Sequence, residues 1–217
     1  MVRRSLVLLM LAFLHGVAAA EGDVTVTVTP EGDLVVVGDA ENNNITFDNE
    51  LGFLRLYHAG GTINGSSSSY AVDPIRGRLI VKLGEGNDSF MIMQTFVCDD
   101  IEVELGEGAD HSDIESGGRA LRIDLGEGND HVNLESASFD RTSVDGGAGN
   151  DDISLFYFDA DTLSLRAGTG NDSVSVRFCS FRGPCSLDGG PLLDSLYLED
   201  PGFDVRPKVA RFENRLE

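Results

Sequence analysis

Apolar and polar residues alternate with a period of two through most of the chain beyond residue 76. Ile101, Val103 and Leu105 form one such run, and Leu121, Ile123 and Leu125 form the next. Val132 with Leu134, Ile153 with Leu155, Leu163 with Leu165 and Val174 with Val176 continue the pattern. Alternation over so few residues predicts short strands with one face turned inward. No stretch between residues 76 and 198 carries the spacing of an amphipathic helix.

The segments between these strands repeat too. The chain reads Leu-Gly-Glu-Gly-Asn-Asp over 83–88, Leu-Gly-Glu-Gly-Ala-Asp over 105–110 and Leu-Gly-Glu-Gly-Asn-Asp over 125–130. Gly-Gly-Ala-Gly-Asn-Asp follows at 146–151, Ala-Gly-Thr-Gly-Asn-Asp at 167–172 and a degraded Gly-Gly-Pro-Leu-Leu-Asp at 189–194. The aspartates Asp88, Asp110, Asp130, Asp151, Asp172 and Asp194 are thus separated by 22, 20, 21, 21 and 22 residues. One strand–turn–strand unit of that length cannot bury its own apolar face, whereas stacked copies can. The expected fold is all-β, a right-handed parallel β-helix or β-solenoid of about six 20–22-residue rungs with a β N-terminal cap.

Residues 76–198 hold the rungs, and the flanks have other compositions. Residues 1–20 read as a signal peptide: Arg3 and Arg4, an apolar run from Leu6 to Leu14, then Ala18-Ala19-Ala20 before Glu21. The stretch Arg3-Arg4-Ser5-Leu6-Val7 also has a twin-arginine look, which leaves the export route open. The apolar run is too short to span a bilayer, so no membrane span is expected. Residues 21–75 read as an N-terminal β cap plus a Ser-rich loop. The cap has a Val/Thr alternation, a turn at Pro30–Asp33 and a divergent copy of the repeat that places Asn43 at the aspartate position. Residues 199–217 leave the pattern and read as a C-terminal cap.

The turns resemble the haemolysin-type (RTX) calcium-binding repeat, Gly-Gly-x-Gly-x-Asp-x-apolar-x. Gly146, Gly147, Gly149, Asp151 and Ile153 match it throughout, and the other full copies replace the first glycine by Leu or Ala. The resemblance implies a secreted, bacterial-type solenoid with bound Ca²⁺. The implied ligand turns are Gly84, Gly86 and Asp88; Gly106, Gly108 and Asp110; Gly126, Gly128 and Asp130; Gly147, Gly149 and Asp151; and Gly168, Gly170 and Asp172. The family places two motifs in each turn of its coil, whereas this chain offers one per rung and therefore one ladder.

Charge points the same way. Without the first twenty residues the chain carries 14 basic and 37 acidic side chains, a net charge of −23. That field disfavours nucleic acid and anionic membranes and favours cations. Carboxylates stacked about 5 Å apart repel by roughly 0.8 kcal/mol in water, or ~3 kcal/mol at an effective dielectric of 20. No Lys or Arg recurs beside the aspartates to offset this: Lys82, Glu104, Asp124, Asp145, Arg166 and Asp188 share one repeat position. The competing reading is metal-free. Asn87, Asn129, Asn150 and Asn171 can form an amide ladder, and the aspartates can point to solvent and accept turn N–H groups.

Other candidates are weaker. His111 and His131 share a repeat position beside Asp113, a conceivable zinc pair against the plainer reading of two exposed histidines. Cys179 and Cys185 are close enough in sequence for a small disulfide loop in an oxidising compartment, leaving Cys98 over. Asn44-Ile-Thr46 and Asn64-Gly-Ser66 fit the glycosylation triplet. The expected function is a secreted, extracellular or cell-surface calcium-binding module, structural or adhesive, whose further partner is a surface polysaccharide or another protein. No catalytic residue is assigned, because acid pairs such as Asp99-Asp100 follow from composition alone. The alternatives are a carbohydrate-active or carbohydrate-binding β-helix and a metal-free Asn/Asp-ladder solenoid. The absence of Trp and the presence of only four Tyr count against sugar-stacking platforms.

Overall fold

A computed structural model describes residues 21–50, 53–93 and 97–216, so the signal-like residues 1–20 lie outside the described residues. Each repeat contributes one strand before its Gly-Asp turn and one after it. Arg78–Glu85, Asp100–Glu107, Gly117–Glu127, Ser138–Asp145 and Asp159–Arg166 lie side by side, all parallel. Ser89–Ile92, His111–Ile114, His131–Glu135, Asp152–Phe156 and Ser173–Arg177 form the second parallel sheet. Among the described residues the two sheets hold twelve and ten strands. The protein is a parallel β-solenoid advancing about 21 residues per turn, as the repeat predicts.

Register follows the repeat, so like positions stack. Val103, Ile123 and Val144 face inward one above another, as do Ile114, Leu134 and Leu155. The corner away from the Gly-Asp turns shows how volume is conserved along the axis. Ala137 and Phe139 occupy one rung, Phe158 and Ala160 occupy the same two places in the next, and all four are buried. Large and small side chains exchange places between rungs, which keeps the interior at constant density.

The N-terminal end is covered by two antiparallel pairings. Strand β1 (Asp23–Val28) pairs with β2 (Leu34–Val37), and β3 (Asn44–Glu50) pairs with β4 (Phe53–His58). β2 and β3 then start the parallel sheets against Arg78–Glu85 and Ser89–Ile92. The Ser-rich segment is less loose than its composition suggests. Thr62–Ile63 adds to β1, and Tyr70–Ala71 adds to β4. Asn64 is engaged locally: its Oδ1 accepts the Val26 N–H at 2.8 Å and its Nδ2 donates to the Val26 carbonyl at 3.0 Å. At the other end, residues 199–216 keep the coil going. Gly202–Phe203, Lys208–Ala210 and Asn214–Leu216 pair in parallel with the rung before them, because the backbone ladder needs no motif to continue. Among the described residues no helix is long and apolar enough to cross a membrane.

Cys98, Cys179 and Cys185 are buried free thiols, and burial pushes them up to about 11, about 11 and about 12. The small disulfide loop is not formed. Cys179 fills an interior corner place and Cys185 an inward strand place opposite Leu163, so both serve as apolar filling.

The rungs approach closely at the Gly-Asp turns. Gly128 has φ +145°, and a Cβ there would fall on the Gly108 carbonyl oxygen of the rung before. Gly65 has φ +76° but nothing within 4 Å of a Cβ. Gly65→Ala is therefore expected to cost only the left-handed strain of ~1–2 kcal/mol. Gly128→Ala adds a backbone collision and should cost about 3 kcal/mol or more. Urea denaturation of the two variants measures the difference, and equal losses would refute the close-approach account.

Candidate cation-binding turns

The six repeat aspartates are inside the coil. Asp88, Asp110, Asp130, Asp151, Asp172 and Asp194 are each at most 3% exposed, so the expectation that they point to solvent in a metal-free ladder is overturned. The turn glycines bend the chain so that the next side chain but one enters the interior. Gly84, Gly86, Gly106, Gly108, Gly126, Gly128, Gly147, Gly149, Gly168 and Gly170 all have positive φ.

One oxygen of each carboxylate is spoken for. Oδ1 of Asp110 accepts the backbone N–H of Asp88 at 2.7 Å, and Oδ1 of Asp130 accepts that of Asp110 at 2.8 Å. Asp151, Asp172 and Asp194 do the same for the rung before each of them, at 2.9 Å. The column extends beyond the motif at both ends. Asn43 donates its N–H to Asp88, and Asp194 donates its N–H to Glu213 Oε2 at 2.9 Å. Asn43 was legible from its alignment with the repeat. Glu213 was not, since it is one methylene longer and 19 residues past Asp194, in a stretch with no turn motif.

The asparagines next to the aspartates build a second ladder of opposite polarity. Asn87 Oδ1 accepts the N–H of Ala109 at 2.8 Å, Asn129 that of Asn150 at 2.7 Å, and Asn150 that of Asn171 at 2.8 Å. Each Asn reaches toward the C-terminal rung and each Asp toward the N-terminal one, so adjacent turns are clasped from both sides. Ala109 interrupts only the asparagine ladder.

The second oxygen of each aspartate is the anomaly. Oδ2 of Asp88, Asp110, Asp130, Asp151, Asp172 and Asp194 is buried with no hydrogen-bond partner. Asn43 shows what surrounds that place. Its amide Nδ2 donates to the carbonyls of Glu41, at 2.8 Å, and Asp39, at 3.4 Å. A Cβ built on Gly38 would meet Asn43 Nδ2, just as Cβ atoms on Gly146 and Gly189 would meet Oδ2 of Asp151 and Asp194. Nδ2 and Oδ2 thus occupy equivalent places. At Asp151 and Asp194 that place holds a carboxylate oxygen where Asn43 has an N–H donor. A buried carboxylate oxygen with no donor facing it calls for a proton or a cation. Burial accordingly raises the carboxyls, to about 6 for Asp88, Asp110 and Asp130 and to about 7 for Asp151, with the like charge of the neighbouring rung adding to it for Asp110, Asp130 and Asp151.

The outer side chains do not neutralise the column. Lys82 pairs with Glu104 at 2.6 Å, and Arg122 lies 3.7 Å from Asp124, on the outward face. Glu85, Glu107 and Glu127 are exposed along the outer edge of the turns. His111 and His131 do stack, with ring centroids 5.0 Å apart and planes 4° from parallel. Each instead faces its own carboxylate: His111 Nε2 lies 2.8 Å from Asp113 and His131 Nδ1 3.4 Å from Asp152. Among the described residues no three His, Cys, Asp or Glu side chains converge to hold a metal ion between them.

The first-glycine position of the resemblance is an inward core position in this coil. Leu83, Leu105 and Leu125 there are fully buried, which explains why most copies depart from glycine. No family model, curated protein or solved structure matches the chain.

The column makes a signed prediction. Carboxyls raised to about 6–7 in the folded state, against ~3.9 unfolded, stabilise the fold below about pH 4 and lose that contribution as pH rises through 6–7. Asp33 and Asp188 are held below the usual range by Arg78 and Arg211 and act oppositely, losing stability at more acid pH. In EDTA the melting temperature should therefore fall as pH rises from about 4.5 to about 7.5. A melting temperature that rises over that window would show the column to be ionised and satisfied without metal.

Proposed function

We propose that this chain is a secreted or cell-surface, non-catalytic β-solenoid whose interior aspartate column takes up calcium and uses it to lock its turns together. The reading rests on the buried, unpartnered Oδ2 atoms. Asn43, at the equivalent place, reaches the Glu41 carbonyl, and carboxylate plus carbonyl oxygens are hard donors that suit Ca²⁺ better than softer ions. Gly84, Gly86 and Asp88, with the equivalent residues of the next four turns, are the proposed ligand set. A cation held there supplies the counter-charge that the outer arginines and lysines do not. Folding and metal uptake would then be coupled, with folding completed in calcium-rich surroundings after export. The export step rests on the signal-like pattern of residues 1–20.

A second reading has its own support. The Oδ1 and asparagine ladders close without metal, so neutral, protonated aspartates give a metal-free structural rod.

Thermal melts at neutral pH, in millimolar calcium and in EDTA, separate the two. One site held at 100-fold above its Kd adds ~2.7 kcal/mol. For a chain of this size that is a rise of roughly 5–10 °C in melting temperature. Asp130→Asn/Asp151→Asn should abolish the calcium response of its turns and raise stability in EDTA, because an amide supplies the N–H that Asn43 already supplies. Identical wild-type melts in calcium and EDTA would reject the calcium reading and leave the protonated ladder.

A further inference from the structure

The corner opposite the Gly-Asp turns also places one residue per rung in the left-handed region, here without glycine. Ser136, Tyr157, Phe178 and Asp200 succeed one another at φ of 50°, 50°, 54° and 45°. A small or polar residue serves the fold at two of these places, so the aromatic residues at 157 and 178 are not demanded by the turn. They carry the strain of a bulky left-handed residue, and they are 55% and 36% exposed. Their rings stack, with centroids 5.4 Å apart and planes at 22°. Phe156 packs 4.4 Å from Tyr157, and the Arg177 guanidinium lies 4.8 Å over the Phe156 ring. The Arg177 Nε finds no hydrogen-bond partner there. One rung on, Tyr197 is exposed beside this group, its hydroxyl 3.3 Å from Glu199. Two of the chain's four tyrosines therefore lie on one surface, which scarcity in the sequence had concealed.

We propose that this ledge binds a neutral polysaccharide chain. The exposed parts of the Tyr157 and Phe178 rings offer apolar surface to the C–H face of a sugar, while Arg177, Glu199 and the Tyr197 hydroxyl offer planar or directional groups for its hydroxyls. Size separates this occupant from a protein. The ledge is a strip about three rungs long, roughly 10–15 Å, a small part of the ~20–30 residues a side that a stable protein interface uses. Small polar side chains flank it, with Ser154 and Ser175 on the neighbouring outward positions. Charge separates it from a polyanion: the chain's net charge is −21, and Glu199 stands at the ledge itself. The inference is independent of whether the aspartate column holds calcium.

The test uses the full chain without its first twenty residues, titrated with cellohexaose, laminarihexaose, mannohexaose, xylohexaose and polygalacturonate. With no Trp in the chain, tyrosine emission reports directly, and calorimetry gives affinity. At least one neutral hexasaccharide should bind at millimolar concentration or tighter. Tyr157→Asn/Phe178→Asn should weaken it at least about tenfold. Asn tolerates positive φ, so the double variant should melt no lower than the wild type. If that variant nevertheless melts early, Tyr157→Asn alone carries the comparison. No binding by any neutral member, binding unaffected by these variants, or binding of polygalacturonate alone would each overturn the proposal.

Discussion

A carboxylate oxygen accepting a backbone N–H from the rung before it is the contact on which the Gly-Asp side of the coil depends. Turns are where a solenoid loses its regular ladder, because the chain must bend and its N–H groups turn off axis. Here the aspartate N–H is handed to the next aspartate along the axis, from Asn43 through Glu213. The asparagine ladder repeats the device in the opposite direction one residue away. Every rung thereby depends on the one after it, which is how a stack of weak units becomes cooperative.

That arrangement fixes what the neighbouring residues can be. For the carboxylate to reach its partner, successive turns must approach until one carbonyl lies against the next rung's Cα, so positions such as 128 tolerate no Cβ. The last copy shows the limit of this rule. Leu192 holds φ +89° where Gly170 stands one rung earlier, and it is 64% exposed.

Much of this was legible in the residues. A 21-residue period with two-residue alternation requires stacked parallel strands, and the coil has them with like positions in register. Asn43 declared itself by alignment. What remained hidden depended on which way a turn side chain points. An Asp after two glycines reads equally well as solvent-facing, and only the backbone path sends it inward. Glu213 was hidden because its role needs reach and position and no motif. The ledge at Phe156, Tyr157 and Phe178 was hidden because residues one rung apart in space are about 21 apart in sequence.

The two corners of the coil divide the work, and the division follows from what each side chain touches. At the Gly-Asp corner the glycine backbone and the aspartate side chain meet the neighbouring rung, so those two residue types recur. At the opposite corner the left-handed residue projects outward, and Ser136, Tyr157, Phe178 and Asp200 all satisfy the same backbone. Freedom of composition at constant geometry is what a surface needs in order to acquire a ligand without disturbing the fold. The recurring turns therefore explain how the rod stands, and the irregular corner is the better place to look for what it touches.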